Sequence, residues 1–241
     1  MNYFYITGTS RGIGNALTLQ LLKDKNNYVI GLSRTNTIKH DRYEHFEFDL
    51  SNFEQVENFR FIDILDAEKI ILVNNAGMIG DVKHTGNIDN KYIYKTFLVN
   101  TISPAVLMNN FIKVYGHLEI DKSIINISSG AGRQAIESWS AYCASKSALD
   151  MFSSVVDVEQ KLINKTKPVK VFSVAPGIVD TQMQDDIRET EEANFSNVST
   201  FVDYKNNNQL DAPEKTAELL IKIINNPQKY KDVLLDVREV N

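Results

Sequence analysis

Tyr3-Phe4-Tyr5-Ile6-Thr7-Gly8-Thr9-Ser10-Arg11-Gly12-Ile13-Gly14 decides how the chain is read. A strand-like run ends at Thr7, the spacing Gly8-x-x-x-Gly12-x-Gly14 turns the backbone, and an apolar-periodic helix follows through Ala16, Leu17, Leu21 and Leu22. Glycines at such a turn permit close backbone approach, and the helix N-terminus offers N–H groups to a pyrophosphate. A glycine triplet alone is weak. The strand–turn–helix setting gives it meaning, and the spacing differs from the more widespread G-x-G-x-x-G.

Outward from that turn, strand-like runs recur at Tyr28–Ser33, Glu44–Phe48, Ile70–Val73, 123–128, 169–174 and 233–237. Helical patterns lie between them, at about 90–115 and 140–164, and after Asp211-Ala212-Pro213-Glu214, where Ala217, Leu220, Ile221 and Ile224 share a face. Ser51-Asn52-Phe53-Glu54 has the form of a capping box and predicts another helix start. Strands apolar on both faces that alternate with helices predict an α/β fold: a doubly wound, mostly parallel Rossmann sheet of about seven strands in a single domain, residues 1–241. Arg34 and Glu44 are too close for a full crossover helix, so that helix is expected to be tiny or absent. Residues 178–210 are acidic, polar and Asn-rich, and are expected to form a mobile substrate loop.

Composition narrows the function classes. A single cysteine, Cys143, excludes a disulfide framework, and four scattered histidines have no metal-ligand spacing, so no metal is expected. The net charge of −5 argues against nucleic acid as the main partner, and no apolar run is long enough to span a bilayer. A globular protein of the cytoplasm is the expectation, with neither nucleic acid nor membrane as partner.

Further motifs extend the pattern: Asn74-Asn75-Ala76-Gly77, Ile127-Ser128-Ser129, Tyr142-x-x-x-Lys146 and Pro176-Gly177-x-x-x-Thr181. With the glycine turn they resemble, in order and spacing, the short-chain dehydrogenase/reductase family across nearly the whole chain. The resemblance implies a nicotinamide-dependent oxidoreductase.

Tyr142 and Lys146 are one helical turn apart and share a face. An ammonium beside a phenol favours phenolate, so the Tyr142 pKa is expected below its usual value of about 10, which suits a general acid for a carbonyl. Ser128 and Ser129 both end a strand. The resemblance selects Ser129, thirteen residues before Tyr142, as the group that positions the substrate oxygen. Asn100 lies four residues before Pro104, whose ring opposes the Asn100 carbonyl; a kink there frees that carbonyl for a water. The family uses an asparagine at the matching place to tether a water connected to the lysine, which makes Asn100 the fourth catalytic candidate.

For the cofactor, the resemblance implies contacts from Gly8, Ser10, Arg11, Gly12, Ile13 and Gly14, and from Asp49 with Leu50 at the third strand end. Asn75, Ala76, Gly77, Tyr142 and Lys146 follow, with Pro176, Gly177, Ile178, Thr181 and Met183 about the nicotinamide. NAD-preferring members carry an acid at the second strand end. Here Ser33-Arg34 stands instead, and Arg34 and Arg11 favour the 2′-phosphate of NADP(H).

Within the family the chain looks most like the sepiapterin and benzil reductase branch, which implies reduction of a ketone or diketone. Ser129, Trp139, Tyr142 and Gly177 are the candidate substrate contacts. Trp139 suits either a flat wall for an aromatic dicarbonyl or a plug between helix and core. Asp236 resembles in position the carboxylate that anchors a pterin in sepiapterin reductases, and is expected outside the contact shell. A homodimer or homotetramer is implied by relatives. Two alternatives differ in class: a non-catalytic NADP(H)-sensing protein, disfavoured by the retained tyrosine and lysine, and a nucleotide-sugar epimerase, disfavoured by the compact length.

Overall fold

The computed structural model describes residues 1–64 and 66–240. Seven parallel strands form one sheet in the order β3-β2-β1-β4-β5-β6-β7. They are β1 (Asn2–Thr7), β2 (Asn27–Ser33), β3 (Tyr43–Glu47), β4 (Lys69–Asn74), β5 (Asp121–Ile127), β6 (Lys170–Ala175) and β7 (Leu234–Asp236). Each lies within a residue or two of its expected place. The chain order reverses between β1 and β4, and the crevice at such a switch point is where ligands bind in open α/β sheets.

Alternate strand residues feed two separate cores. Phe4, Ile6, Val29, Ile71 and Val174 pack against α1 (Gly12–Leu21) and α8 (Pro213–Asn225). Tyr5, Ile30, Leu32, Ile70 and Leu72 face α4 (Ser103–Tyr115) and α5 (Ser140–Ile163). Burial on both faces explains why the central strands read as continuous apolar runs, while β3 at the sheet edge is largely exposed.

Several local expectations are corrected. The helix after β3 is α2 (Phe53–Asn58), and its N-cap is Asn52, whose side chain accepts from the Gln55 N–H; Ser51 instead donates to Asp49. The 90–115 pattern is not one α-helix. Helix α3 (Asn90–Phe97) opens into a π-helical turn over Leu98–Ile102 before α4, and Pro104 occupies the first turn of α4, where a missing N–H is tolerated. Residues 34–42 hold no helix, as expected from their brevity.

The largest correction concerns 178–210. That segment contains α6 (Gln182–Arg188) and α7 (Val198–Asn206), and Phe195 between them is completely buried. Its polar composition conceals a few apolar side chains, Ile187, Phe195 and Phe201, which gather over Trp139. Among the described residues, no helix is long and apolar enough to cross a membrane.

Candidate active site

The carboxyl ends of β1, β4, β5 and β6 bring the quoted motifs together. Gly8 and Gly12 adopt φ of +75° and +59°, which other residues rarely tolerate. A Cβ on Gly14 would lie 2.3 Å from the Gly8 oxygen and 2.4 Å from Asn75 Nδ2. Asn75 closes the turn by donating from Nδ2 to the Thr7 and Gly8 carbonyls, and its own N–H donates to Thr7 Oγ1. Helix α1 starts without a side-chain cap and without an acid in its first turn. A tight turn with uncapped helix N–H groups fits the pyrophosphate of a dinucleotide.

Arg11 and Arg34 are exposed on the rim of this turn, and Ser33 is buried beneath it. Burial pushes the Asp49 carboxyl up, but hydrogen bonds from Ser51 and then the charge of Arg34 hold it below its ordinary range. Leu50 is buried, and its carbonyl accepts from Ser103 Oγ. Gly77 carries the β4 motif to the catalytic candidates: a Cβ there would stand 3.3 Å from Asn100 Oδ1 and 3.5 Å from Lys146 Nζ.

Asn100, in the π turn, is clamped rather than idle. Its Oδ1 accepts from Met78 N at 2.9 Å, and its Nδ2 donates to Met78 O and to Ser145 Oγ. Tyr142 and Lys146 project from one face of α5, with Lys146 Nζ 5.9 Å from the phenol ring centroid and donating to Ile127 O at 2.7 Å. Ser129 sits at the end of β5 and accepts from Ala131 N, while Ser128 Oγ is buried with no partner.

The expected lowering of the Tyr142 pKa is reversed. Burial pushes the phenol up to about 12, against a smaller downward pull from Ser129. Burial also pushes Lys146 down to about 8, opposed by Asp150. Both groups are buried, and the lysine donates to a backbone carbonyl, so desolvation is the largest cause of both shifts.

The far wall belongs to residues 178–210, which cover Trp139 and Tyr142 as a lid. Pro176-Gly177 follows β6, with Gly177 at φ +77°; Ile178 is exposed, and Thr181 is the N-cap of α6 and approaches Gly12. Met183 joins an apolar cluster with Trp139, Tyr142 and Phe195. Trp139 ring centroids lie 5.7 Å from Tyr142, 5.6 Å from Phe195 and 5.6 Å from Phe201, and its Nε1 is buried without a partner. Trp139 therefore plugs the space between α5 and the lid.

Some parts of this wall have no precedent in the sequence reading. Glu137 accepts from His84 Nε2 at 2.8 Å and from Ser196 N and Oγ, so one carboxylate ties the 79–89 loop to the lid. Ser138, held at φ +64°, donates to Asn194 O. The available signal was a scatter of apolar side chains, Ile187, Phe195, Val198 and Phe201 among them, in a mostly polar stretch. Asp236 is engaged elsewhere: both its oxygens accept from the Arg238 guanidinium, at 2.8 and 2.6 Å.

The short chain dehydrogenase profile matches residues 2–192. The benzil reductase ((S)-benzoin forming) of Bacillus subtilis (strain 168) is 33% identical over 230 residues, 93% of each chain. The sepiapterin reductase of Xenopus tropicalis is 34% identical over 120 residues, 48% of this chain and 44% of that one. A solved short chain dehydrogenase/reductase from Saccharomyces cerevisiae shares the fold, with a TM-score of 0.82 at 24% identity over 99% of this chain and 97% of that one. A family match over most of the length, on a parallel sheet that gathers the family's motifs at one crevice, identifies this chain as an oxidoreductase of the short-chain dehydrogenase/reductase family, which works with nicotinamide cofactors.

Proposed function

We propose that this protein is an NADPH-dependent carbonyl reductase acting on an aromatic ketone or diketone of the benzil type. The observation that carries the reading is the full-length similarity to benzil reductase, together with an aromatic wall beside Tyr142. A reduced nicotinamide dinucleotide, held by its pyrophosphate at the glycine turn, would supply the hydride. The chain does the rest. Gly8, Gly12, Gly14 and the α1 N-terminus hold the pyrophosphate, and Arg11 and Arg34 take the 2′-phosphate.

Tyr142 stays protonated across the neutral range, so it can give its phenolic proton to the substrate oxygen. Ser129 donates a hydrogen bond to the same oxygen and fixes which face of the carbonyl is presented. Lys146 stabilises the phenolate as it forms, and Asn100 keeps the π turn and the Met78 loop after β4 in place around it.

A diketone is favoured over a pterin because the Asp236 carboxylate is fully occupied by Arg238. The test is to mix the protein with NADPH and benzil, and separately with sepiapterin, and follow loss of the reduced-nicotinamide absorbance. Turnover of benzil exceeding that of sepiapterin is expected. Efficient reduction of sepiapterin alone would overturn the substrate class, and reduction of neither would remove the dicarbonyl reading.

A further inference from the structure

The segment between β2 and β3 has no crossover helix, yet its corner carries the residues assigned to the cofactor phosphate. Something else must hold that corner still. The structure replaces the helix with a hydrogen-bonded relay. The Tyr43 hydroxyl meets Thr9 Oγ1 at 2.8 Å, Thr9 Oγ1 meets Ser33 Oγ at 3.1 Å, and Ser33 Oγ donates to Thr35 O at 3.0 Å.

Counting protons sets the direction. The only Ser33 hydroxyl proton goes to the Thr35 carbonyl, so Ser33 accepts from Thr9, and Thr9 in turn accepts from Tyr43. His45 Nε2 lies 2.9 Å from Ser33 O and 3.1 Å from Ser33 Oγ. A carbonyl can only accept, so the imidazole carries its proton on Nε2 and pins the same residue from the other side.

Tyr43 reaches Thr9 by lying across β2, and Gly31 makes room. A Cβ on Gly31 would stand 2.2 Å from the Tyr43 hydroxyl and 2.7 Å from Thr9 Oγ1. Thr9 and Ser33 are buried, so the relay runs out of water, where an unmade hydrogen bond is costly. The outer part of the loop is tied as well: Thr37 Oγ1 donates to Ser10 O at 3.0 Å, and Asn15 Nδ2 donates to Thr37 Oγ1. The Ser33–Thr37 corner is thus fastened to the glycine turn at both ends, with Arg34 projecting between.

We propose that Tyr43, acting through Thr9 and Ser33, is a positioning residue that sets the discrimination between NADPH and NADH. This rests on the reading of Arg34 as the 2′-phosphate contact. Tyr43 acts through Thr9 and Ser33: it stands in for the missing helix by holding the corner from which Arg34 reaches out. Preorganising a charged donor counts only for the ligand that carries the charge.

The test is direct binding of NADPH and of NADH by calorimetry, without substrate, to wild type, Tyr43→Phe, Thr9→Val and Arg34→Ala. Wild type is expected to bind NADPH more tightly, and Arg34→Ala to lose about 10–100-fold for NADPH alone. Tyr43→Phe and Thr9→Val should each cut the NADPH/NADH affinity ratio by about three- to tenfold, with NADH affinity little changed. A wild type that binds both alike, or discrimination undiminished by Arg34→Ala, would remove the Arg34 phosphate reading and this inference with it. Discrimination that depends on Arg34 but stays within twofold in both relay variants would overturn the relay alone. Equal losses for both dinucleotides would reduce Tyr43 to a purely structural role.

Discussion

The two rims of the crevice are built on opposite plans. The β1–β4 rim is made of backbone and small residues: glycines with left-handed φ, Asn75 bonding carbonyls, and hydroxyls locked in a relay. The lid rim is made of large side chains, with Trp139, Phe195 and Phe201 stacked at tilted angles, and leaves Trp139 Nε1 and Gln184 Oε1 unpartnered. The first plan suits the dinucleotide that the family's reactions share, and at Gly14 it leaves no room for a Cβ. The second packs by volume, which tolerates exchange of apolar side chains. On the proposed function, cofactor binding and substrate choice can therefore change independently.

Four substitutions would break or sharpen that contrast. At the seam between the rims, Tyr142→Phe should lower kcat by about 100- to 10,000-fold while dinucleotide binding persists. Turnover near wild type on a verified substrate would take the proton-donor role away from Tyr142. On the rigid rim, Gly14→Ala must push against the Gly8 backbone and should cost about 1–3 kcal/mol. In a chain of this size each kcal/mol is worth roughly 2–4 °C in Tm. An unchanged Tm and unchanged cofactor affinity would show that the turn yields more easily than its contacts allow.

Lys146→Met should raise stability as it destroys activity. Between about pH 8 and pH 10.5 the unfolded chain holds the Lys146 proton and the folded chain does not. The stability lost through this group therefore grows as pH falls across that window and is constant below it. The variant's advantage in chemical denaturation is expected to be greatest at neutral pH and to shrink towards pH 10.5. A pH-independent difference would mean that the lysine titrates alike in both states.

The smallest effect is expected at Asp236→Ala, which should leave benzil reduction within about threefold, under 1.4 kcal/mol in transition-state stabilisation. A tenfold loss would place that carboxylate in the substrate's contact shell despite its pairing with Arg238.

The same contrast explains what could be read from the chain. Gly8, Gly12 and Gly14 act through φ and through missing atoms, and those requirements survive as residue identity at fixed spacing. The strands of two-faced burial read equally well. The capping position was misplaced by one residue because Ser51 and Asn52 can both cap, and only Asp49, adjacent in space, decides that Ser51 is taken. The helices of 178–210 were hidden because their stability comes from Phe195 and Phe201 meeting a tryptophan far away in sequence. The direction of the Tyr142 shift depended on burial, which no residue spacing reveals.

Trp139 is the only tryptophan in the chain, and it stands where α6, α7 and Tyr142 meet. All indole emission therefore originates at this one spot. With the ring buried among Phe195, Phe201 and Tyr142, the emission should lie towards the blue and be shielded from soluble quenchers. If α6 and α7 swing away to admit a carbonyl compound, the same ring meets water and its emission moves to the red. The protein thus carries its own optical gauge of lid position, readable in real time without a label and before any hydride is transferred.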